Sequence, residues 1–326
     1  MRRIAFTITI SAAILLAACA GDDSSSETSD ATTTAANPPP TTEVVETTIV
    51  DSTAGTTTNA PTTVAQSFPD RPYNVFVPST YNAATAAPLV ILLHGYGASG
   101  LIQELYFRLQ PEAEARGFLY VHPDGTPNAL GNLAWNATDA CCQDVVTVDD
   151  SAYLTSIINE VSATYNVDQT RIFLVGHSNG GFMSYRMACD HADRIAAIVS
   201  LAGATFLDTA QCAPSEPVNV LQIHGTDDRT IQYDGGSTPL GTYPAAETTV
   251  STWSAYNGCA TGTESLGELD LAFNIDGVET TLEAFTGCPV DGAVELWTIE
   301  GGPHIPGLQP SFAADIIDWL YAHANA

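Results

Sequence analysis

The chain has no lysine, and its only cations are nine arginines set against 37 acidic residues, which leaves a formal charge of −28 over 326 residues. Schiff-base, P-loop and kinase-type chemistry all need a lysine and are excluded. Nucleic-acid binding needs a clustered basic face that is missing here, and the same acidity repels anionic lipid headgroups. Metal-ligand spacings are lacking too. No C-x-x-C or H-x-x-x-H pattern occurs, so neither a catalytic metal nor a cofactor is expected.

The apolar run Ile4 to Ala18 follows Arg2 and Arg3 and is too short to span a bilayer and stay, so residues 1–18 read as a signal peptide. It ends in Leu16-Ala17-Ala18-Cys19, which resembles the lipobox of bacterial lipoproteins. Cys19 is therefore the expected lipidation point, and the resulting N-terminal anchor the only expected membrane contact of an exported, surface-held or secreted protein. Residues 19–67 are nearly all Thr, Ser, Asp, Glu, Ala and Pro with no cation. Such a segment buries too little apolar area to offset its ordering entropy, and a disordered stalk is expected. Residues 68–326 then carry 30 acids and seven Arg, a net charge of −23, and read as one catalytic domain.

Within that region short apolar runs alternate with amphipathic segments, the pattern of a mainly parallel, doubly wound α/β sheet covered by helices on both faces. Strands are expected at 73–77, 89–93, 118–122, 171–175, 196–201, 218–224 and 294–299. Helices are expected at 101–116, 149–165, 178–190, 245–256 and 312–324, and a hairpin at 264–286.

One junction carries chemistry. The run Arg171 to Val175 leads into Gly176-His177-Ser178-Asn179-Gly180-Gly181 and then a helical stretch, placing a G-x-S-x-G where a strand turns into a helix. The turn is so tight that residues flanking the serine must be small, and it lifts the hydroxyl above the sheet edge. Serine is a poor nucleophile unless a base takes its proton and a carboxylate orients that base. In chain order acid and base follow the serine, each after a later strand. Strand 218–223 runs into His224-Gly225-Thr226-Asp227-Asp228, and strand 294–299 into Gly301-Gly302-Pro303-His304. Beyond these acids only His304 and His323 remain, and His323 falls in the terminal helix, so His304 is the base. Asp228, further into its loop than Asp227, is the preferred acid, with Asp227 a solvated or turn-forming neighbour. An oxyanion needs at least two preorganised N–H donors, each worth about 3 to 4 kcal/mol. The backbone N–H of Asn179 is one, and the loop His94-Gly95-Tyr96-Gly97 offers that of Tyr96 as the second. His94 itself reads as a structural loop residue.

Six cysteines besides Cys19 suit an exported chain with disulfides. Cys189–Cys212 and Cys259–Cys288 are the economical pairings, each closing a loop of about 25 to 30 residues and worth roughly 3 kcal/mol. Cys141 and Cys142 are then left to bridge each other, although six cysteines allow 15 connectivities in all.

Residues 70–325 resemble the secreted polyhydroxybutyrate depolymerase and feruloyl esterase group of α/β-hydrolases. The likeness rests on His94-Gly95, Trp135-Asn136, Cys141-Cys142 with Val148-Asp149-Asp150, the serine turn with Tyr185 to Cys189, His224 to Asp228, Asn257-Gly258-Cys259 and Gly301 to His304. It implies the same Ser178, Asp228 and His304. Members of the group commonly carry a Trp shortly after this histidine, where the present chain has Ile305-Pro306-Gly307, so the pocket is expected to differ there. Trp135, Tyr96 and Ile305 are the candidate pocket residues, Trp135 being equally consistent with core packing. The expected activity is that of a monomeric serine carboxylesterase on small or polymeric neutral esters. A serine peptidase on the same scaffold and a non-catalytic surface binding protein are the alternatives.

Overall fold

The computed structural model describes residues 64–141, 147–239 and 241–324. The expected signal peptide, Cys19, the stalk up to residue 63 and Cys142 lie outside the described residues. In chain order the strands are β1 (Val75–Phe76), β2 (Ala87–Leu93), β3 (Leu119–Val121), β4 (Thr126–Pro127), β5 (Leu133–Ala134), β6 (Val167–His177) and β7 (Ala197–Leu201). They continue with β8 (Asn219–Gly225), β9 (Gly236–Ser237), β10 (Thr242–Tyr243), β11 (Thr263–Leu269), β12 (Thr280–Phe285) and β13 (Val294–Ile299). The helices are α1 (Gly100–Phe107), α2 (Leu109–Arg116), α3 (Asp150–Thr164), α4 (Asn179–Asp190), α5 (Ala246–Asn257) and α6 (Phe312–Ala322).

Near-continuous apolar runs such as Leu89 to Leu93 and Ile172 to Val175 bury both faces of a strand, as a parallel sheet requires. They sit in the middle of a nine-stranded sheet of order β1-β3-β2-β6-β7-β8-β13-β12-β11. From β3 to β13 neighbouring strands run parallel, while β1, β12 and β11 are antiparallel to their neighbours. The expected doubly wound architecture and the hairpin (β11–β12) are both present. Side chains alternate between two cores. Leu89, Ile91 and Leu174 pack with Leu154, Ile157 and Trp253 of α3 and α5 on one face. Val90, Leu92, Phe173 and Val175 pack with Phe107, Phe312 and Ile316 of α1 and α6 on the other.

Local structure departs from expectation in three places. The single helix expected over 101–116 is two, because Arg108 adopts φ 57°, ψ 46° and breaks the chain between α1 and α2. The buried Glu104 carboxylate heals the break by accepting the N–H groups of Leu109 and Gln110 along with the Tyr120 hydroxyl. The strand that leads to Ser178 is longer than its apolar run, extending from Val167 to His177. Before the expected boundary at residue 68, Val64 is already buried in the core, the Gln66 amide donates to the Tyr73 carbonyl, and the Ser67 N–H donates to Glu160. The disulfides Cys189–Cys212 and Cys259–Cys288 are formed as expected.

Candidate active site

The strand β6 ends at His177, and Ser178 takes up φ 52°, ψ −120° before α4 begins at Asn179. A non-glycine residue rarely adopts this conformation, which costs of order 1–3 kcal/mol. Surrounding contacts enforce it: Ser178 N–H donates to the Leu201 carbonyl of β7 at 2.8 Å. A methyl on Gly176 would lie 2.1 Å from the Gly180 carbonyl oxygen, and one on Gly180 2.1 Å from that of Leu93. Both glycines are therefore required by close approach of backbone.

At the ends of β8 and β13 two further loops reach the serine. His304 Nε2 lies 3.0 Å from Ser178 Oγ, and His304 Nδ1 lies 2.7 Å from Asp228 Oδ2. Since the carboxylate is acceptor-only, the imidazole proton is on Nδ1, which leaves Nε2 free to accept from the hydroxyl. The other oxygen, Asp228 Oδ1, accepts the N–H groups of Thr230 and Ile231 at 2.8 and 2.9 Å. Burial by itself would raise the Asp228 pKa. The bonds from His224 and His304 and the Thr230 amide outweigh it and hold the carboxyl well below the usual range. Asp227 points instead to solvent and pairs with Arg229 at 3.1 Å.

Above the serine runs the loop 94–97. A methyl on Gly95 would lie 3.4 Å from Ser178 Cβ and, tightly, 3.2 Å from His177 Nδ1, so the loop passes close to the serine at this glycine. Gly95 N–H is held by the buried Gln103 side chain of α1, and Gly97 N–H by the Leu133 carbonyl. Among the described residues the N–H groups of Tyr96 and Asn179 have no acceptor; for Asn179 this follows from its place in the first turn of a helix.

Trp135 does not face the cleft. It is fully buried, with its indole N–H donating to the His94 carbonyl and its ring against that of His94 at 5.0 Å. Arg71, paired with buried Asp150, also lies over the ring, 5.7 Å from the Trp135 ring centroid. The expectation of Trp135 as a pocket wall is thus corrected: a fully buried indole with its N–H bonded within the protein is core. Tyr96 and Ile305, 44% and 63% exposed, are the apolar side chains that meet solvent on the loops beside Ser178 and His304.

Three histidines hold these loops: His94, read from the sequence as a structural loop residue, and His177 and His224, to which the sequence reading gave no role. Each stands at or next to the end of a buried strand, and each is itself buried. His94 accepts the Gly125 N–H, His177 faces the His304 carbonyl at 3.0 Å, and His224 Nε2 shares its proton between the Ile231 carbonyl at 2.8 Å and Asp228 Oδ2 at 3.4 Å. Burial pushes the pKa of His94 down and, with the neighbouring His304, that of His177 down to about 4. The recurrence of His at three apolar-run ends, Leu93-His94, Gly176-His177 and Ile223-His224, was the available signal. No cluster of His, Cys, Asp and Glu suited to a metal ion occurs among the described residues.

Feruloyl esterase B of Piromyces equi is 31% identical over 238 residues, 71% of this chain, although the chain spans only 42% of that relative's length. Feruloyl esterase D of Neurospora crassa is 25% identical over 249 residues, 72% of this chain and 74% of the relative. Among solved structures, the acetyl xylan esterase from Aspergillus awamori superposes with a TM-score of 0.53 at 16% identity, over 77% of this chain and 93% of that one, which is a likeness of fold. Residues 79–252, which include Tyr96, Ser178 and Asp228, match the phospholipase/carboxylesterase family, and the chain belongs to that family of α/β-hydrolases.

Proposed function

We propose that the protein is an exported serine carboxylesterase that hydrolyses neutral carboxylic esters through an acyl-enzyme. The observation that carries this reading is the line from Ser178 Oγ through His304 to Asp228, at 3.0 and 2.7 Å, at the ends of three strands of one sheet. In the first half-reaction Ser178 Oγ attacks the ester carbonyl while His304 Nε2 takes its proton. The carbonyl oxygen, now charged, is held by the N–H groups of Tyr96 and Asn179. His304 then protonates the departing alcohol, and water repeats the sequence to free the acid and Ser178. Asp228 keeps His304 in the tautomer that makes Nε2 the base.

The two feruloyl esterase relatives favour feruloyl-type sugar esters as the first substrates to try, with acetyl esters and hydroxyalkanoate or related polyesters beside them. A net charge of −23 on residues 68–326 disfavours anionic substrates. Export is supported by the two disulfides; lipidation at Cys19 and a monomeric state belong to the same proposal. The test is labelling by a fluorophosphonate probe together with hydrolysis of methyl ferulate, short-chain 4-nitrophenyl esters, polyhydroxybutyrate film and an aromatic polyester film. Wild type is expected to label and to hydrolyse at least the soluble esters, and Ser178→Ala to do neither. A wild type that does not label ends the proposal.

A further inference from the structure

The loop that carries His304 follows β13, and β7 and β8 stand between that strand and β6, which carries Ser178. Three strand spacings amount to roughly 14 Å. Sheet pairing therefore does not bring His304 to Ser178; the loop has to lean back over two strands and be held there. Its beginning is tied to the acid loop, through Asp227 N–H to the Gly302 carbonyl and Gly301 N–H to the Thr226 hydroxyl. Past that point two side chains from outside the triad reach it. His177 Nε2 meets the His304 carbonyl at 3.0 Å, and the Tyr106 hydroxyl of α1 donates to the Pro306 carbonyl at 2.7 Å.

A backbone carbonyl only accepts, so the ring proton of His177 is on Nε2. The ring has little freedom to do anything else. It is buried, the Tyr106 ring meets it edge-on at 5.6 Å, the His304 ring lies over it at 5.1 Å, and Gly95 passes close to its Nδ1. His177 and Tyr106 also touch each other: His177 adjoins the serine, and Tyr106 lies in α1, the helix that follows the loop of Tyr96.

We infer that His177 and Tyr106 are positioning residues for the base, two hydrogen-bond donors that hold the backbone of residues 304–306 so that His304 Nε2 stays within reach of Ser178 Oγ. They act through the position of His304, whose ring packs on that of His177, and not on the ester itself. Their effect falls on the chemical step, because a displacement of about 1 Å at a reacting group costs of order 100-fold in rate. Tyr96, the candidate pocket residue on the facing loop, is not held by these contacts, so the change is expected mainly in kcat. The inference rests on the esterase reading given above.

It is tested with Tyr106→Phe, which removes one hydroxyl and keeps the packed ring, and with His177→Leu and His177→Gln, of which only Gln retains a donor. On 4-nitrophenyl acetate, Tyr106→Phe is expected to lower kcat about 5-fold and His177→Leu about 50-fold, each with KM within about twofold of wild type, while Gln restores most of the loss. The low-field proton NMR resonance of His304 Nδ1–H provides a readout that needs no turnover. It is expected to be retained in wild type and His177→Gln, and broadened or lost in His177→Leu. Unchanged kcat in Tyr106→Phe and His177→Leu, a loss expressed in KM, or failure of Gln to rescue overturns the inference. If wild type hydrolyses no ester, the proposed function falls, and the NMR comparison alone decides whether the base loop is held in this way.

Discussion

The side chain of Asn179 clasps the backbone of Trp135 at both ends, its Oδ1 accepting the Trp135 N–H at 2.7 Å and its Nδ2 donating to the Trp135 carbonyl at 3.0 Å. One residue thus follows Ser178, carries a backbone N–H with no acceptor among the described residues and fixes the segment packed beside the loop of Tyr96. Asn179 is fully buried. Asn179→Ala strands two buried backbone groups and is expected to cost about 2 to 4 kcal/mol, a fall in Tm of about 5 to 10 °C by calorimetry. A Tm within a degree of wild type would show that the clasp contributes nothing.

Asp228 and Asp227 are adjacent in sequence and differ in everything else. Asp228→Asn keeps the shape but offers His304 an amide in place of an acceptor-only carboxylate, which misdirects the tautomer; kcat is expected to fall about 10,000-fold. Asp227→Asn, at the exposed Arg229 pair, is expected to stay within about twofold. Initial rates on a soluble nitrophenyl ester decide between them, and equal losses would reject the assignment of the acid.

The two kinds of glycine constraint separate by magnitude. Gly180→Ala places a methyl 2.1 Å from a backbone oxygen and is expected to cost more than about 4 kcal/mol, seen as loss of soluble folded protein. Gly131 has φ 82° but open space around it, and Gly131→Ala is expected to cost only about 1 kcal/mol. A well-folded Gly180→Ala variant would mean that the turn opens without penalty.

His177 makes stability depend on pH. Its pKa is about 4 in the folded protein, owing to burial first and then the neighbouring His304, and about 6.5 when unfolded. The folded state therefore binds fewer protons, so the stabilisation is complete above about pH 6.5 and lost as pH falls towards 4. Between pH 7.5 and 4.5 wild type is expected to lose about 2 to 3 kcal/mol that His177→Gln does not lose. The depressed Asp228 acts in the same sense but lower, its contribution fading as pH falls below about 4, so it does not interfere in this window. Urea unfolding of both proteins at the two pH values measures the difference, and parallel losses would refute it.

The bridge Cys259–Cys288 joins the end of α5 to the chain just past β12, across 29 residues. Replacing both cysteines by Ala is expected to cost roughly 3 kcal/mol, read as a lower urea midpoint. No shift in midpoint would mean that the hairpin is held entirely by its sheet pairing.

Legibility followed the range of the contacts. The serine turn was readable because its constraint is local: Gly176, Ser178 and Gly180 lie within five residues, and a strand precedes them. Asp228 and His304 were readable because their order along the chain reflects the order of strands. Tyr106, whose partner Pro306 lies 200 residues away, left no trace in its own neighbourhood. Trp135 was undecidable from sequence for a similar reason, since whether an indole is wall or core depends on what His94 and Arg71 place against it. The break at Arg108 was hidden because α2 is started by a side chain, Glu104, that looks like any other helical acid.

The amino-acid sequence by itself determined the acidic, lysine-free character of the chain, the alternation of buried strands and amphipathic helices, and which serine, acid and histidine stand at strand ends. These are consequences of composition, periodicity and chain order, all of which are one-dimensional. Tertiary structure alone decided that the loop of His304 leans back over two strands to meet Ser178, and that two side-chain donors and one amide clasp reach the cleft's loops. Those distances arise from the packing of segments remote in sequence, where a hydrogen bond's directionality, and not any local propensity, selects the arrangement.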